Sequence, residues 1–142
     1  MNRYEIYGPT LLRVTLGVLF LAHGAWLKLG VFTLAGTVGY FQSLGLPGVA
    51  AYGVIAAEIV GGILLILGIR VRESAALLAV ISFGATWAHS SFGWVFSNPG
   101  GGWEFPLFLA VTALVQVLLG PGALRVQWRA GDRVAAAAGW AR

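Results

Sequence analysis

The chain has 142 residues, 58% of them hydrophobic, and only 14 are Asp, Glu, Lys or Arg. A soluble domain carries about 25% charged residues; this one has 10%, with a mean hydropathy of +0.84, which excludes an ordinary soluble domain and points to an integral membrane protein. No cysteine is present, so thiol–disulfide exchange, cysteine-ligated iron–sulfur clusters and zinc–thiolate sites are excluded within this chain.

In chain order, four apolar spans approach the ~20 residues needed to cross a bilayer. They are Pro9 to Leu29, Val49 to Ile69, Ser74 to Phe96 and Trp103 to Leu119. Backbone groups in lipid must be paired internally, so each span is expected to be a helix. Span 1 has an apolar stretch too long for a leader peptide, holds Arg13 and is followed by no convincing small-x-small cleavage site, so it reads as retained. Between spans 1 and 2, Leu34, Val38 and Phe41 recur at helical spacing before Gly45 and Pro47. That pattern predicts a short helix on the outer face. Asn98-Pro99-Gly100-Gly101-Gly102 predicts a turn, and Gly120-Pro121-Gly122 ends span 4. Beyond it Arg125, Arg129 and Arg133 fall four apart beside Trp128, the pattern of an interfacial helix or of a plain basic tail. The fold class is therefore all-α: an integral membrane four-helix antiparallel bundle over residues 1–122, with a basic juxtamembrane tail over 123–142. The small pairs Ala57/Gly61 and Gly84/Ala88 are candidates for close helix packing.

Orientation follows from Lys and Arg. Arg3, Arg70, Arg72, Arg125, Arg129, Arg133 and Arg142 lie on one side, and Lys28 stands alone on the other. The positive-inside rule puts both termini and the Arg70–Glu73 turn in the cytoplasm of a bacterial or archaeal cell. The positive charge thus reflects topology, with membrane lipid and not nucleic acid as its partner.

Ionisable groups inside spans are expensive and usually face the bundle interior. Glu58 lies about 14 Å into span 2, His23 about 9 Å below the outer end of span 1, and His89 about 10 Å below the outer end of span 3. A mid-span carboxylate cannot snorkel, so Glu58 is either neutral or paired with a cation. Arg13 is one candidate partner, because Arg13, Gly17, Phe20, Gly24 and Lys28 share one face of span 1. An anchor for Arg13 at the cytoplasmic headgroups is the alternative. Lys28 and Glu104 sit near the outer surface, either as interface residues or as a pair closing an outer mouth. Trp26, Trp87, Trp94 and Trp103 lie toward the outer interface, and Trp87 is deep enough to line a pocket for a flat ring. Two histidines at matched depth are the minimum for a bis-imidazole haem b, but each stands alone, so that reading is disfavoured. Hydrogen bonding to a quinone asks less of His23 and His89. No metal site is expected.

With these residues assembled, the chain resembles the DoxX family of small four-helix membrane proteins. The first signature is Leu12-Arg13-Val14-Thr15-Leu16-Gly17-Val18-Leu19-Phe20-Leu21-Ala22-His23-Gly24 with Lys28 following. Leu44-Gly45-Leu46-Pro47, Glu58-Ile59-Val60-Gly61-Gly62, Leu67-Gly68, Gly101-Gly102-Trp103-Glu104-Phe105-Pro106 and Gly120-Pro121-Gly122 complete it. The departure is Ala123-Leu124-Arg125, where the family commonly continues with serine, leucine and aspartate. The resemblance implies a redox-associated membrane subunit, since related proteins occur in thiosulfate:quinone oxidoreductase and in complexes tied to oxidative-stress defence.

Three functions follow as expectations. The first is a quinone-linked oxidoreductase or its membrane subunit: Glu58, His23 and His89 handle protons, His23, Trp87 and His89 hold the quinone, and Lys28 and Glu104 shape the substrate mouth. Lacking cysteine, it needs an electron-donor protein or a direct reaction between substrate and quinone. The second is an assembly or anchoring subunit bound to other complex subunits. The third is a small transporter, for which a homo-oligomer would supply the missing half.

Overall fold

All regular structure among the described residues is helical, as expected; the computed structural model describes residues 4–126. Helix α1 (Tyr7–Leu21) continues without a break into a wider π-type stretch, Ala22–Val31. Then come α2 (Leu34–Ser43), α3 (Val49–Leu67), α4 (Val71–Ala88), a short 3₁₀ turn (Ser90–Phe92) and α5 (Glu104–Leu119). The short helix expected after span 1 is α2. Trp128, Arg129 and Arg133 of the expected interfacial helix lie outside the described residues.

Two helical stretches, Tyr7–Val31 and Val49–Leu67, are long and apolar enough to cross a membrane, with mean hydropathies of 1.6 and 2.2. Only 22% and 33% of their apolar windows are buried inside the protein, the reverse of a soluble core helix. The apolar helix α5 is shorter, at 16 residues.

Helix α1 packs on α3, α3 on α4, α4 on α5, and α5 returns to α1; α2 lies against α3 and the π stretch. Helices α1 and α3 run antiparallel, with Gly17 facing Gly62 and Ile66, and Gly24 facing Glu58 and Ile59. A Cβ on Gly17 would stand 2.7 Å from the Gly62 carbonyl oxygen, and one on Gly62 2.8 Å from that of Gly17. No side chain fits there, so glycine sets the backbone separation. The small pairs flagged in the sequence do not make this contact. Gly61 packs under Leu78 of α4, and Gly84 faces open space.

The dry core lies between Leu16, Phe20, Leu65, Val71, Ala75, Leu78 and Leu109. Helix α4 stops at Ala88, whereas the apolar pattern predicts a span reaching Phe96. Gly93 takes φ +82, a conformation that side-chain-bearing residues rarely adopt, and the Asn98 amide donates to the Phe92 carbonyl at 2.9 Å. Trp94 and Phe96 therefore belong to a loop.

Arg13 corrects a second expectation. It is fully buried, yet it neither snorkels nor meets Glu58. Its Nη1 donates to the carbonyls of Leu65 (2.7 Å) and Ile66 (2.9 Å), among the last of α3. Its Nη2 donates to Leu124 (3.0 Å) and Ala123 (3.4 Å). Gly120-Pro121-Gly122 turns the chain back under α1 and α3, where the Ala123 amide donates to Ile6 and the Val126 amide to Leu67. A planar guanidinium can serve both sets of carbonyls, and a positive charge suits a helix C-terminus. Glu58 stands level with Gly24, about 10 Å further along α3 than the carbonyls Arg13 holds, so no pair forms.

Candidate functional site

The carboxylate of Glu58 is paired with Lys28. The Lys28 ammonium donates to Oε1 at 2.8 Å and to Oε2 at 2.7 Å. The Lys28 side chain is 21% exposed and that of Glu58 6%. This is the ion pair that occurs among the described residues, and it lies in the interior. Lys28 is thus no outer-rim residue; its four-carbon stem reaches inward along α3.

Three local features place the pair. Gly24 lets α3 approach: a Cβ there would stand 2.9 Å from Ile59 and 3.0 Å from the Glu58 Cβ. The π stretch then changes the angular bookkeeping. Five residues of α-helix turn by about 140° beyond one revolution, so His23 and Lys28 would diverge. With bonds closing from i to i+5, as from the Phe32 amide to the Leu27 carbonyl (2.8 Å), residues five apart come nearer to one face, and from there Lys28 reaches Glu58. Finally, Thr37 of α2 donates its hydroxyl to the Lys28 carbonyl at 2.9 Å and to the Thr33 carbonyl at 3.0 Å, pinning the end of the stretch.

His23 lies within electrostatic range of Glu58. Its Nδ1 is 2.7 Å from the Leu19 carbonyl oxygen, and its ring stacks on Phe105 of α5 at 5.9 Å between centroids, 23° between planes. Phe105 in turn lines a groove of about 500 Å³ on α5, together with Trp94, Phe96, Glu104, Leu107, Phe108 and Val111. The polar cluster and the aromatic groove therefore share one wall.

The other expected site residues are placed differently. His89 caps the C-terminus of α4, because that helix ends early, and so is not matched in depth to His23. Its Nδ1 lies 3.0 and 3.1 Å from the carbonyls of Gly100 and Gly101, and its ring touches Tyr40 of α2 and Phe92. Burial pushes the Tyr40 phenol above its ordinary value. Glu104 does not meet Lys28 either. Its Oε1 accepts from the Phe96 amide at 3.0 Å, which folds the loop back on the start of α5. Trp87 is 58% exposed and does not line the groove; the flat surfaces there are Trp94, Phe96, Phe105 and Phe108. Sequence reasoning missed Thr37 and Phe105. Each carried a signal: a threonine four residues after Thr33, and an aromatic inside Trp103-Glu104-Phe105-Pro106.

A half-buried cation, a buried carboxylate and a half-buried imidazole, beside an aromatic groove, occupy the stretch that known proteins match. The family model described as DoxX matches residues 8–91. The chain belongs to the DoxX family. The DoxX match spans α1 to α4 and includes His23, Lys28, Glu58 and His89. A Bacillus subtilis (strain 168) protein named "Putative oxidoreductase CatD" is 38% identical over 85 residues, 60% of this chain and 61% of that relative's length. No solved structure matches this DoxX chain.

Proposed function

We propose that this DoxX protein is a quinone-interacting oxidoreductase, or the membrane subunit of one, in a bacterial or archaeal cytoplasmic membrane. The observation that carries the reading is the Lys28–Glu58 ion pair with His23 beside it, one ring away from an aromatic groove. Four of the helices cross the bilayer, α4 and α5 alongside the two apolar stretches. The arginine-rich end faces the cytoplasm under the positive-inside rule, and both termini lie there. The exposed Leu11, Val49, Val80 and Leu118 then meet lipid tails rather than water.

In this reading the quinone ring enters from lipid and lies against Phe105 and Phe108. The Phe105 ring stands between that groove and His23. Reduction of a quinone to the quinol takes up two electrons and two protons. The electrons come from a donor protein or a reduced substrate outside the chain; the B. subtilis relative is named an oxidoreductase. Lys28, Glu58 and His23 relay the protons.

Lipid extraction of the purified protein tests the reading, followed by equilibrium binding of a short-chain quinone in nanodiscs. The expected result is saturable, near-stoichiometric binding that weakens about tenfold in Phe105→Ala. A protein that carries no quinone and binds none at saturating concentration refutes it.

A further inference from the structure

The loop between the 3₁₀ turn and α5 supplies one wall of the aromatic groove, through Trp94 and Phe96. Its two arms are joined by backbone bonds, from the Trp103 amide to the Gly93 carbonyl and from the Glu104 amide to the Trp94 carbonyl, each 3.1 Å. The Trp94 and Trp103 rings meet edge to face across them, 4.5 Å between centroids. A Cβ on Gly102 would overlap the Trp94 carbonyl, so the arms lie as close as backbones can. What moves one arm therefore moves the other, and with it the groove wall.

The second arm is tied to the helices by His89, at the end of α4. Gly100 and Gly101 take φ +89 and +78, which side-chain-bearing residues rarely adopt, and their carbonyls lie 3.0 and 3.1 Å from His89 Nδ1. No other donor reaches either carbonyl among the described residues. A carbonyl can only accept, so the shared proton is assigned to Nδ1, and neutral and protonated imidazole both donate it. The ring also touches Tyr40 of α2 at 6.3 Å and Phe92 at 5.9 Å between centroids. His89 is thus where α2, the end of α4 and the loop meet, yet it does not line the groove. Resting on the quinone-site reading above, we infer that His89 is a positioning residue: its Nδ1–H latches the Gly100–Gly101 arm and so holds Trp94 and Phe96 as the groove wall. The latch is the N–H and not the ring.

One hydrogen bond of ordinary strength shifts the closed-to-open ratio of the loop by up to about tenfold. A ligand that needs the closed loop loses affinity by no more than that factor. Two variants of the full chain in nanodiscs separate the donor from the ring. His89→Phe keeps a ring for Tyr40 and Phe92 and removes the donor; His89→Asn removes the ring and puts an amide N–H near the place of Nδ1. Three readouts apply: affinity for a short-chain quinone, hydrogen exchange at the Gly101 amide, which is bonded to the Asn98 carbonyl at 2.8 Å, and the near-ultraviolet dichroism of the tryptophans. In His89→Phe, quinone affinity is expected to fall about three- to tenfold, Gly101 exchange to quicken by up to about tenfold, and the dichroism to shrink, with exchange inside α4 unchanged. His89→Asn is expected to stay within about twofold of the parent in affinity and exchange. Where the phenylalanine variant fails to fold, His89→Asn and the imidazole ¹⁵N shifts of the parent decide, with near-parental binding and an Nδ1–H tautomer expected. Parental affinity and exchange in His89→Phe, an asparagine variant as weak as the phenylalanine one, or an Nε2–H tautomer overturns the inference and leaves the quinone site standing. A parent protein that binds no quinone overturns both.

Discussion

Replacing Lys28 with methionine keeps an unbranched side chain one atom shorter and removes its charge. The structure sets the size of the effect. The ammonium stands 2.7 and 2.8 Å from the two oxygens of a carboxylate that is 6% exposed. Without it, Glu58 has no cation in hydrogen-bonding range among the described residues. Breaking a buried pair from one side costs about 3–5 kcal/mol, because a desolvated charge is left unpaired. Replacing both partners with apolar groups of similar volume is often close to neutral. Lys28→Met is therefore expected to lose about 3–5 kcal/mol, Glu58→Leu a similar amount by stranding the ammonium, and the double variant much less than their sum. Equilibrium unfolding in mixed micelles, titrated with sodium dodecyl sulfate and followed by circular dichroism, reads all four corners of the cycle. Single variants as stable as the parent, or a double variant that loses the sum of the two, would refute the reasoning.

Other predictions rest on separate contacts. Arg13→Lys retains a charge but puts its donors on one atom, so the carbonyls of Ala123 and Leu124 are expected to be released. Hydrogen exchange at the Val126 amide, now bonded to Leu67, should quicken by at least about tenfold. Gly62→Val places a side chain where even a Cβ would stand 2.8 Å from a backbone oxygen, and should destabilise by about 1–3 kcal/mol or more in the same micelle titration. The Tyr40 phenol is held above its ordinary value of 10.0 by burial. As pH rises through that value, the folded chain binds more protons than the unfolded one, so stability falls with pH there. Tyr40→Phe should flatten the alkaline limb of a stability–pH profile. Glu104→Gln removes the charge but keeps an oxygen for the Phe96 amide, and is expected to leave quinone binding within about twofold.

Much of the frame was legible in the residues. Glu58 stood out as a carboxylate in an apolar helix that had to find a cation or a proton. The inward face of span 1 was readable too, since Arg13, Gly17, Phe20 and Gly24 recur at helical spacing and are all buried. The choice of partner was not readable. Arg13 and Lys28 both lie on that face, and only the antiparallel register of α1 on α3 puts Arg13 level with Leu65 and Lys28 within reach of Glu58. That register is set by the Gly17–Gly62 contact, one of many small-residue pairs in a glycine-rich chain. The depth argument for His89 failed because apolar content hid a helix end: Trp94 and Phe96 look like span residues, yet Gly93 had already turned the chain.

Length, hydropathy and the placement of arginine thus determined an all-helical, membrane-compatible chain. Those properties depend on composition along the chain, and a sequence carries them in full. The tertiary structure decided which charges meet, which ring stands behind His23, and that a stretch with wider turns brings His23 and Lys28 to one face. These depend on helix register and on a local departure from 3.6-residue periodicity. The register follows from a backbone approach between segments distant in sequence, and the wider turns from the i-to-i+5 bonding of the backbone; the periodic pattern of side chains is blind to both.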